Sequence, residues 1–215
     1  MSSAIAEKPL RSDARRNRER LVASARELLA SEGVDVSVDE ITRHAGLGMG
    51  TLYRHFPTKE ELIDAVLEDA FAELVELAER AAAAEDAWAG LIEFMEHALA
   101  SHAANRGLKD MLASREHGAN RAQAMRERIH PLLRRLIERA QAQGTLRSDF
   151  TTEDLSLAFW SVGRVIEKTA DVAPQQWRRQ LGFLLDGLRS PAATPPPVPA
   201  LTRRQLVRAA RRKED

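Results

Sequence analysis

Apolar residues return at helical spacing along nearly the whole of this chain, and almost nowhere at the two-residue spacing of a half-buried strand. Leu21, Val22, Ala25, Leu28 and Leu29 form one stripe, and Ile63, Val66, Leu67, Ala70, Phe71, Leu74, Val75 and Ala78 form a longer one. Leu91, Phe94, Met95, Ala98 and Leu99 follow, then Met125, Ile129, Leu132, Leu133, Leu136, Ile137 and Ala140. Leu155, Ala158, Phe159, Val162, Val165 and Ile166 mark the next, and Trp177, Leu181, Leu184, Leu185 and Leu188 the last. Each stripe of this kind needs an apolar partner surface, so the chain is expected to be all α, with about nine helices packed on one another.

Punctuation agrees with the stripes. Gly33 and Gly144 stand where a left-handed residue would close a helix, Pro131 is expected to kink or restart its helix, and Thr151 with Asp154 opens the next. Pro174 is read as opening the last stripe. From Ser190 to Ala200 the composition turns to Pro and Ala, and beyond it Arg203, Arg204, Arg208, Arg211, Arg212 and Lys213 make a basic tail. That tail is read as disordered or loosely docked, able to form a short helix around Leu206 and Val207, and as an auxiliary candidate for DNA contact.

Charge is segregated although the formal net charge is zero. Arg11, Arg15, Arg16, Arg18 and Arg20 crowd the N-terminal arm, whereas Glu60, Glu61, Asp64, Glu68, Asp69, Glu73 and Glu76 make the segment after Pro57 acidic. Cys is absent, which excludes disulfides and thiolate chemistry and suits a reducing cytoplasm, and no apolar run is long enough to span a bilayer. With no leader-like apolar core at its start, the chain is expected to be cytoplasmic and to have no membrane partner.

Ser37 to Lys59 is the informative stretch. Ser37-Val38-Asp39-Glu40 reads as a capping box, and Thr58-Lys59-Glu60-Glu61 repeats its logic. Between them two short helices are joined at His44-Ala45-Gly46-Leu47, which is helix-turn-helix spacing. Gly46 supplies the positive φ of a tight turn, Leu47 plugs the angle between the helices, and Ile41, Leu52 and Phe56 pack behind. Met49, Gly50, Thr51, Tyr53, Arg54 and His55 then lie near the free face, a mixture of small, hydroxylic, aromatic and cationic groups able to enter a major groove.

The run from Ala45 to Leu62, Ala-Gly-Leu-Gly-Met-Gly-Thr-Leu-Tyr-Arg-His-Phe-Pro-Thr-Lys-Glu-Glu-Leu, resembles the DNA-binding signature of the tetracycline-repressor (TetR) family. It joins a Gly turn, a Thr-Leu-Tyr core and a capped Lys-Glu-Glu-Leu helix start in one register, behind an Arg-rich first helix. The resemblance implies that Ser37, Thr51, Tyr53, His55 and Lys59 touch phosphates or base edges, with Arg43 and Arg54 as further candidates. Ser37 and Lys59 stand at helix N-termini, where free amides favour an anion. Many relatives carry Ser and Lys where this chain has Gly48 and Met49, so Gly48 is left to cap the helix or let its backbone approach a phosphate, and Met49 either to meet a thymine methyl or simply to lie exposed.

The same resemblance implies three segments: a DNA-binding domain at 1–57 with its basic arm, a helical effector-binding and dimerisation domain at 58–190, and a Pro-rich linker with basic tail at 191–215. Two reading heads about 34–36 Å apart require a twofold dimer. The family places that interface on the last two helices, here Phe159, Val162 and Ile166 with Trp177, Leu181, Leu184 and Leu188. Trp88, Phe94, Met95, Met111, Met125, Phe159 and Trp160 are candidate walls of an effector pocket, because Met and aromatics line adaptable apolar cavities. The expected function is a repressor that binds a palindromic operator as a homodimer and is released by a small molecule. A regulator blind to effectors and acting through protein partners is one alternative.

A helical di-metal enzyme is another. Glu127-Arg128-Ile129-His130 has the Glu-x-x-His spacing of carboxylate-bridged bundles, but a second such pair is lacking. His97 and His102 are not an i, i+4 pair, and neither a phosphate loop nor a nucleophile motif stands out. No catalytic residue, metal or cofactor is therefore assigned, and His97, His102, His117 and His130 remain candidates only for a metal effector.

Overall fold

The structure is a computed structural model that describes residues 7–33, 35–104, 116–190 and 194–210, those at 7–11, 116–123 and 210 as backbone. Among the described residues there are nine helices: α1 (Glu7–Glu32), α2 (Val38–Ala45), α3 (Met49–His55), α4 (Lys59–Ala83), α5 (Ala87–Ala104), α6 (Glu116–Ala142), α7 (Thr152–Thr169), α8 (Gln176–Leu188) and α9 (Arg203–Ala210). The only extended pairing among them is an isolated antiparallel bridge between Leu146 and Arg189. Met111, Arg211, Arg212 and Lys213 lie outside the described residues, as does the side chain of His117.

The chain divides into two compact units, and the division falls inside α4, between Glu73 and Leu74. The sequence expectation had placed it at Pro57. The reason is burial: Leu62, Ile63, Val66 and Leu67 of α4 belong to the same apolar cluster as Leu21, Leu29, Ile41, Leu52 and Phe56. A three-helix head cannot close its core alone, so the first turns of α4 complete it. Arg26 of α1 clasps Glu73 in a two-pronged pair, with Nη2 donating to Oε2 at 2.7 Å. That bond holds the Glu73 carboxyl below the usual carboxylate range.

In the second unit, Val75, Ala78 and Ala81 of α4 join Leu91, Phe94, Met95 and Leu99 of α5, Leu136 and Ile137 of α6, Leu155, Val162 and Ile166 of α7, and Trp177, Leu181 and Leu188 of α8 in one buried cluster. The turn between α4 and α5 is tied down from α6. Arg139 donates to the carbonyls of Ala82 and Ala84, each at 2.6 Å, so a cation caps the negative end of α4. Gln143 accepts from the Ala87 amide at 3.0 Å and donates to the Glu85 carbonyl at 2.9 Å. Gly90 lets α5 come this close, since a Cβ there would lie 2.8 Å from the Ala81 carbonyl oxygen.

At three points the structure narrows the sequence reading. α6 runs through Pro131 without restarting, because tertiary packing of Ile129, Leu136 and Ile137 outweighs one lost backbone bond. α8 starts at Gln176, so Pro174 stands just ahead of its cap rather than in its first turn. The basic tail, read as disordered or loosely docked, forms α9: Thr202 Oγ1 accepts from the Gln205 amide at 3.3 Å while the Gln205 Oε1 accepts from the Thr202 amide at 2.9 Å, a reciprocal cap.

Candidate nucleic-acid interface

The first unit carries the candidate site on α2 and α3. Ser37 caps α2 with extended backbone (φ −81°, ψ 154°), and its hydroxyl takes the Glu40 amide at 3.2 Å while Glu40 takes the Ser37 amide at 2.8 Å. The Ser37 hydroxyl, donating to Glu40 Oε2 at 2.7 Å, and then the Ser37 amide hold the Glu40 carboxyl below its ordinary range. At the other end Gly46 closes α2 at φ 62°, ψ 37°, the left-handed geometry that turns the chain toward α3. The Leu47 amide then returns to the Thr42 carbonyl at 2.9 Å.

The turn has a clamp the sequence reading missed. Arg20 of α1 reaches across and donates to the Ala45 carbonyl at 2.6 Å, placing a cation on the C-terminal end of α2. The left-handed backbone angle requires glycine at 46, and a Cβ there would also crowd that guanidinium at 3.1 Å. In the sequence, Arg20 was one of several Arg in a basic arm, and nothing in its spacing singled it out. Thr42 adds a second tie, its buried hydroxyl donating to the Asp39 carbonyl at 3.0 Å and lying 3.5 Å from the Met49 sulfur. Arg20→Met is expected to loosen the turn, cost about 1 kcal/mol of stability in the first unit and weaken DNA binding uniformly, as measured by hydrogen exchange at Gly46 and Leu47 and by affinity for duplex DNA.

α3 is anchored from one side only. Leu52 is 0% exposed and Phe56 3%, and Arg18 of α1 stacks its guanidinium 5.2 Å from the Phe56 ring centroid. On the opposite side Tyr53 is 48% exposed, with Arg54, Gly48 and Gly50 also exposed and Met49, Thr51 and His55 half-buried. Ser37 and Arg43 are exposed on α2, and Lys59 is half-buried at the start of α4. The Glu61 amide is taken by Thr58 Oγ1 at 3.2 Å, which fixes the entry to α4. One surface of the first unit thus offers a hydroxyl, a phenol, guanidinium and imidazole groups, with the Leu52 and Phe56 side pinned in the core.

Of the sequence candidates in the second unit, Trp88, Phe94 and Met95 are buried, and Met125 and Phe159 pack partly buried against the same cluster. Phe94 and Phe159 meet edge to face with centroids 5.9 Å apart. Trp160 stands outside the cluster, 44% exposed. His130 Nε2 is occupied by Thr152 Oγ1 at 3.2 Å, and His97 Nδ1 by the Glu93 carbonyl at 2.9 Å.

Residues 21–66 match the family described as bacterial regulatory proteins, tetR family, and residues 83–190 match the C-terminal domain of SbtR-like transcriptional regulators. A crystal structure of the TetR transcription regulatory protein from Mycobacterium vanbaalenii is similar at 36% identity with a TM-score of 0.67, covering 84% of this chain and 99% of that one. This chain belongs to the TetR family. A TetR transcriptional regulator from Streptomyces coelicolor is similar at 30% identity and a TM-score of 0.64, over 80% of this chain and 98% of that one. An HTH-type transcriptional regulator of Staphylococcus aureus is 43% identical over 60 residues, 27% of this chain and 32% of that relative, so the shared stretch spans about a third of its length. The TetR chain is accordingly a helix-turn-helix transcriptional regulator and not an enzyme. None of its described helices is long and apolar enough to cross a membrane.

In this TetR chain the residues expected at the dimer contact pack mostly inward. Val162, Ile166, Trp177, Leu181 and Leu188 lie inside the protomer's own core, at 0, 3, 1, 1 and 8% exposure, and Phe159 and Leu184 pack against it. A helix has one main apolar stripe, and here the core has claimed it. What α7 and α8 leave outward is different: Trp160 at 44% exposure and Phe183 at 58%, with the Arg179 guanidinium 4.8 Å from the Phe183 ring centroid.

Proposed function

We propose that this TetR-family regulator is a repressor that binds a near-palindromic operator as a homodimer and is released by a small molecule held in the second unit. The carrying observation is the one-sided anchoring of α3, with Leu52 and Phe56 buried and Tyr53 and Arg54 exposed. Such a helix enters a major groove with Thr51, Tyr53 and Arg54 at base edges, while Ser37, Arg43, Gly48, His55 and Lys59 meet phosphates and Met49 and Gly50 allow close approach. One short helix reads only a few base pairs. A twofold dimer doubles the site and sets half-sites about 34–36 Å apart. Trp160 and Phe183 supply large apolar side chains for that contact.

Release follows if the effector binds better to the form in which the reading heads are wrongly spaced, since it then weakens DNA by the same coupling, of order 1–3 kcal/mol. Trp88, Phe94, Met95, Met125 and Phe159 supply an adaptable apolar lining for such a molecule. The test is selection of duplexes from a random pool, followed by fluorescence anisotropy with the enriched site. Two chains per duplex and an inverted repeat are expected, and Arg54→Ala is expected to lose about 1–3 kcal/mol with relaxed preference at one base pair per half-site. Enrichment of no sequence by the full chain would sink the reading.

A further inference from the structure

α9 is built against its own electrostatics. Arg203 and Arg204 occupy its first turn, where the helix dipole disfavours cations, and that turn holds no acidic residue. Arg204 and Arg208 follow each other at i, i+4, so like charges stand one above the other on one face. All three are exposed, and among the described residues none is paired with a carboxylate. A surface helix of eight residues that ordinarily gains from a negative first turn has instead two guanidiniums there and a third in its last turn, none paired with a carboxylate among the described residues, an arrangement open to an external polyanion.

Charge over the whole chain is distributed to the same end. The last fifteen residues hold six of the 32 cations and only two of the 32 carboxylates, so what precedes them is net acidic. The helix is also presented on a spacer. Arg147, locked on Asp149 by bonds of 2.5 and 2.9 Å, donates to the Thr194 carbonyl at 2.6 Å and pins the start of the spacer to the second unit. From there the spacer holding Pro195, Pro196, Pro197 and Pro199 bends at Pro197 and Val198, so its reach to Thr202 stays below the roughly 25 Å that 3.1 Å per residue would allow. An anchored root, a short Pro-rich stem and a capped basic helix make an arm.

We propose that α9 is a second nucleic-acid contact, a tethered arm that grips the phosphate backbone of duplex DNA without reading its sequence. Arg204 and Arg208 are the gripping residues, with Arg203 beside them. The proposal rests on the chain being a DNA-binding regulator, but it assigns the arm a task separate from that of α3: α3 selects, and α9 adds a salt-dependent hold that is equal on every duplex. The short apolar side, Leu206 and Val207, gives little area for a lipid surface, and Leu206 is already half-buried.

The experiment measures affinity against salt concentration for full-length protein on a random-sequence duplex and on the enriched site. Each lost phosphate contact lowers the slope of log affinity against log salt by about 0.9. Arg204→Gln with Arg208→Gln is expected to lower that slope by nearly 2 per chain on both duplexes, leaving their affinity ratio unchanged, while Arg204→Lys with Arg208→Lys restores it. An unchanged slope overturns the proposal. So does a variant that loses binding to vesicles of phosphatidylglycerol and phosphatidylcholine while its DNA slope stays the same. Arg54→Ala run alongside moves the affinity ratio and not the arm's share of the slope, so the failure of either reading is distinguishable from the failure of the other.

Discussion

Leu52→Ala should destabilise the first unit by about 2–5 kcal/mol and abolish DNA binding under conditions where the second unit is intact. Leu52 has no exposed surface and sits where α1, α2, α3 and the first turns of α4 converge, beside Ile41, Phe56 and Leu62 in one cluster. α3 has only seven residues and its N-cap, Gly48, gives no side-chain bond, so nothing local sustains it. Truncation therefore removes both the packing energy and the only fixed side of the reading helix. All three tryptophans lie in the second unit, at 88, 160 and 177, so their emission should stay native while amide exchange across 38–56 accelerates. Leu52→Met, which conserves volume, should cost less than about 1.5 kcal/mol and keep binding. Native stability and affinity in Leu52→Ala would mean that α3 is held by something other than its buried side, and the interface described above would have no foundation.

The helix-turn-helix was legible because its signals are local. A capping box at Ser37 and Glu40 and a left-handed glycine at 46 follow from bonds within a few residues, an apolar set at 41, 52 and 56 shows in helical spacing, and each reappears in the structure. Arg20 was illegible for the opposite reason: its partner is the Ala45 carbonyl, 25 residues away, and a backbone acceptor leaves no mark in a sequence. The division of the two compact units inside α4 was illegible in the same way, since a turn residue marks where a helix starts and not which core that helix serves. α9 shows a further limit. Basic composition argues for a solvated tail, but the reciprocal bonds of Thr202 and Gln205 nucleate a helix that charge alone would not.

The apolar stripes of α7 and α8 illustrate the hardest ambiguity, and the second large effect turns on it. Periodicity says that a helix has a buried face but not whether the burying surface belongs to the same chain. Trp177 is 1% exposed inside the protomer, and its indole Nε1 is buried without a hydrogen-bond partner among the described residues. Trp177→Ala should therefore cost about 3–5 kcal/mol of protomer stability, seen as an earlier unfolding midpoint by circular dichroism at any protein concentration. Trp177→Phe keeps most of the ring and removes the unsatisfied N–H, so its cost should be much smaller. Phe183→Glu should do the reverse: with 58% of its surface exposed it contributes little to the core, yet it should drive the protein to monomer in sedimentation velocity and weaken operator binding steeply with dilution. If Trp177→Ala yielded stable folded monomers while Phe183→Glu remained dimeric, the interface would lie on the stripe read from the sequence, and the protomer core would have to be closed by the partner subunit.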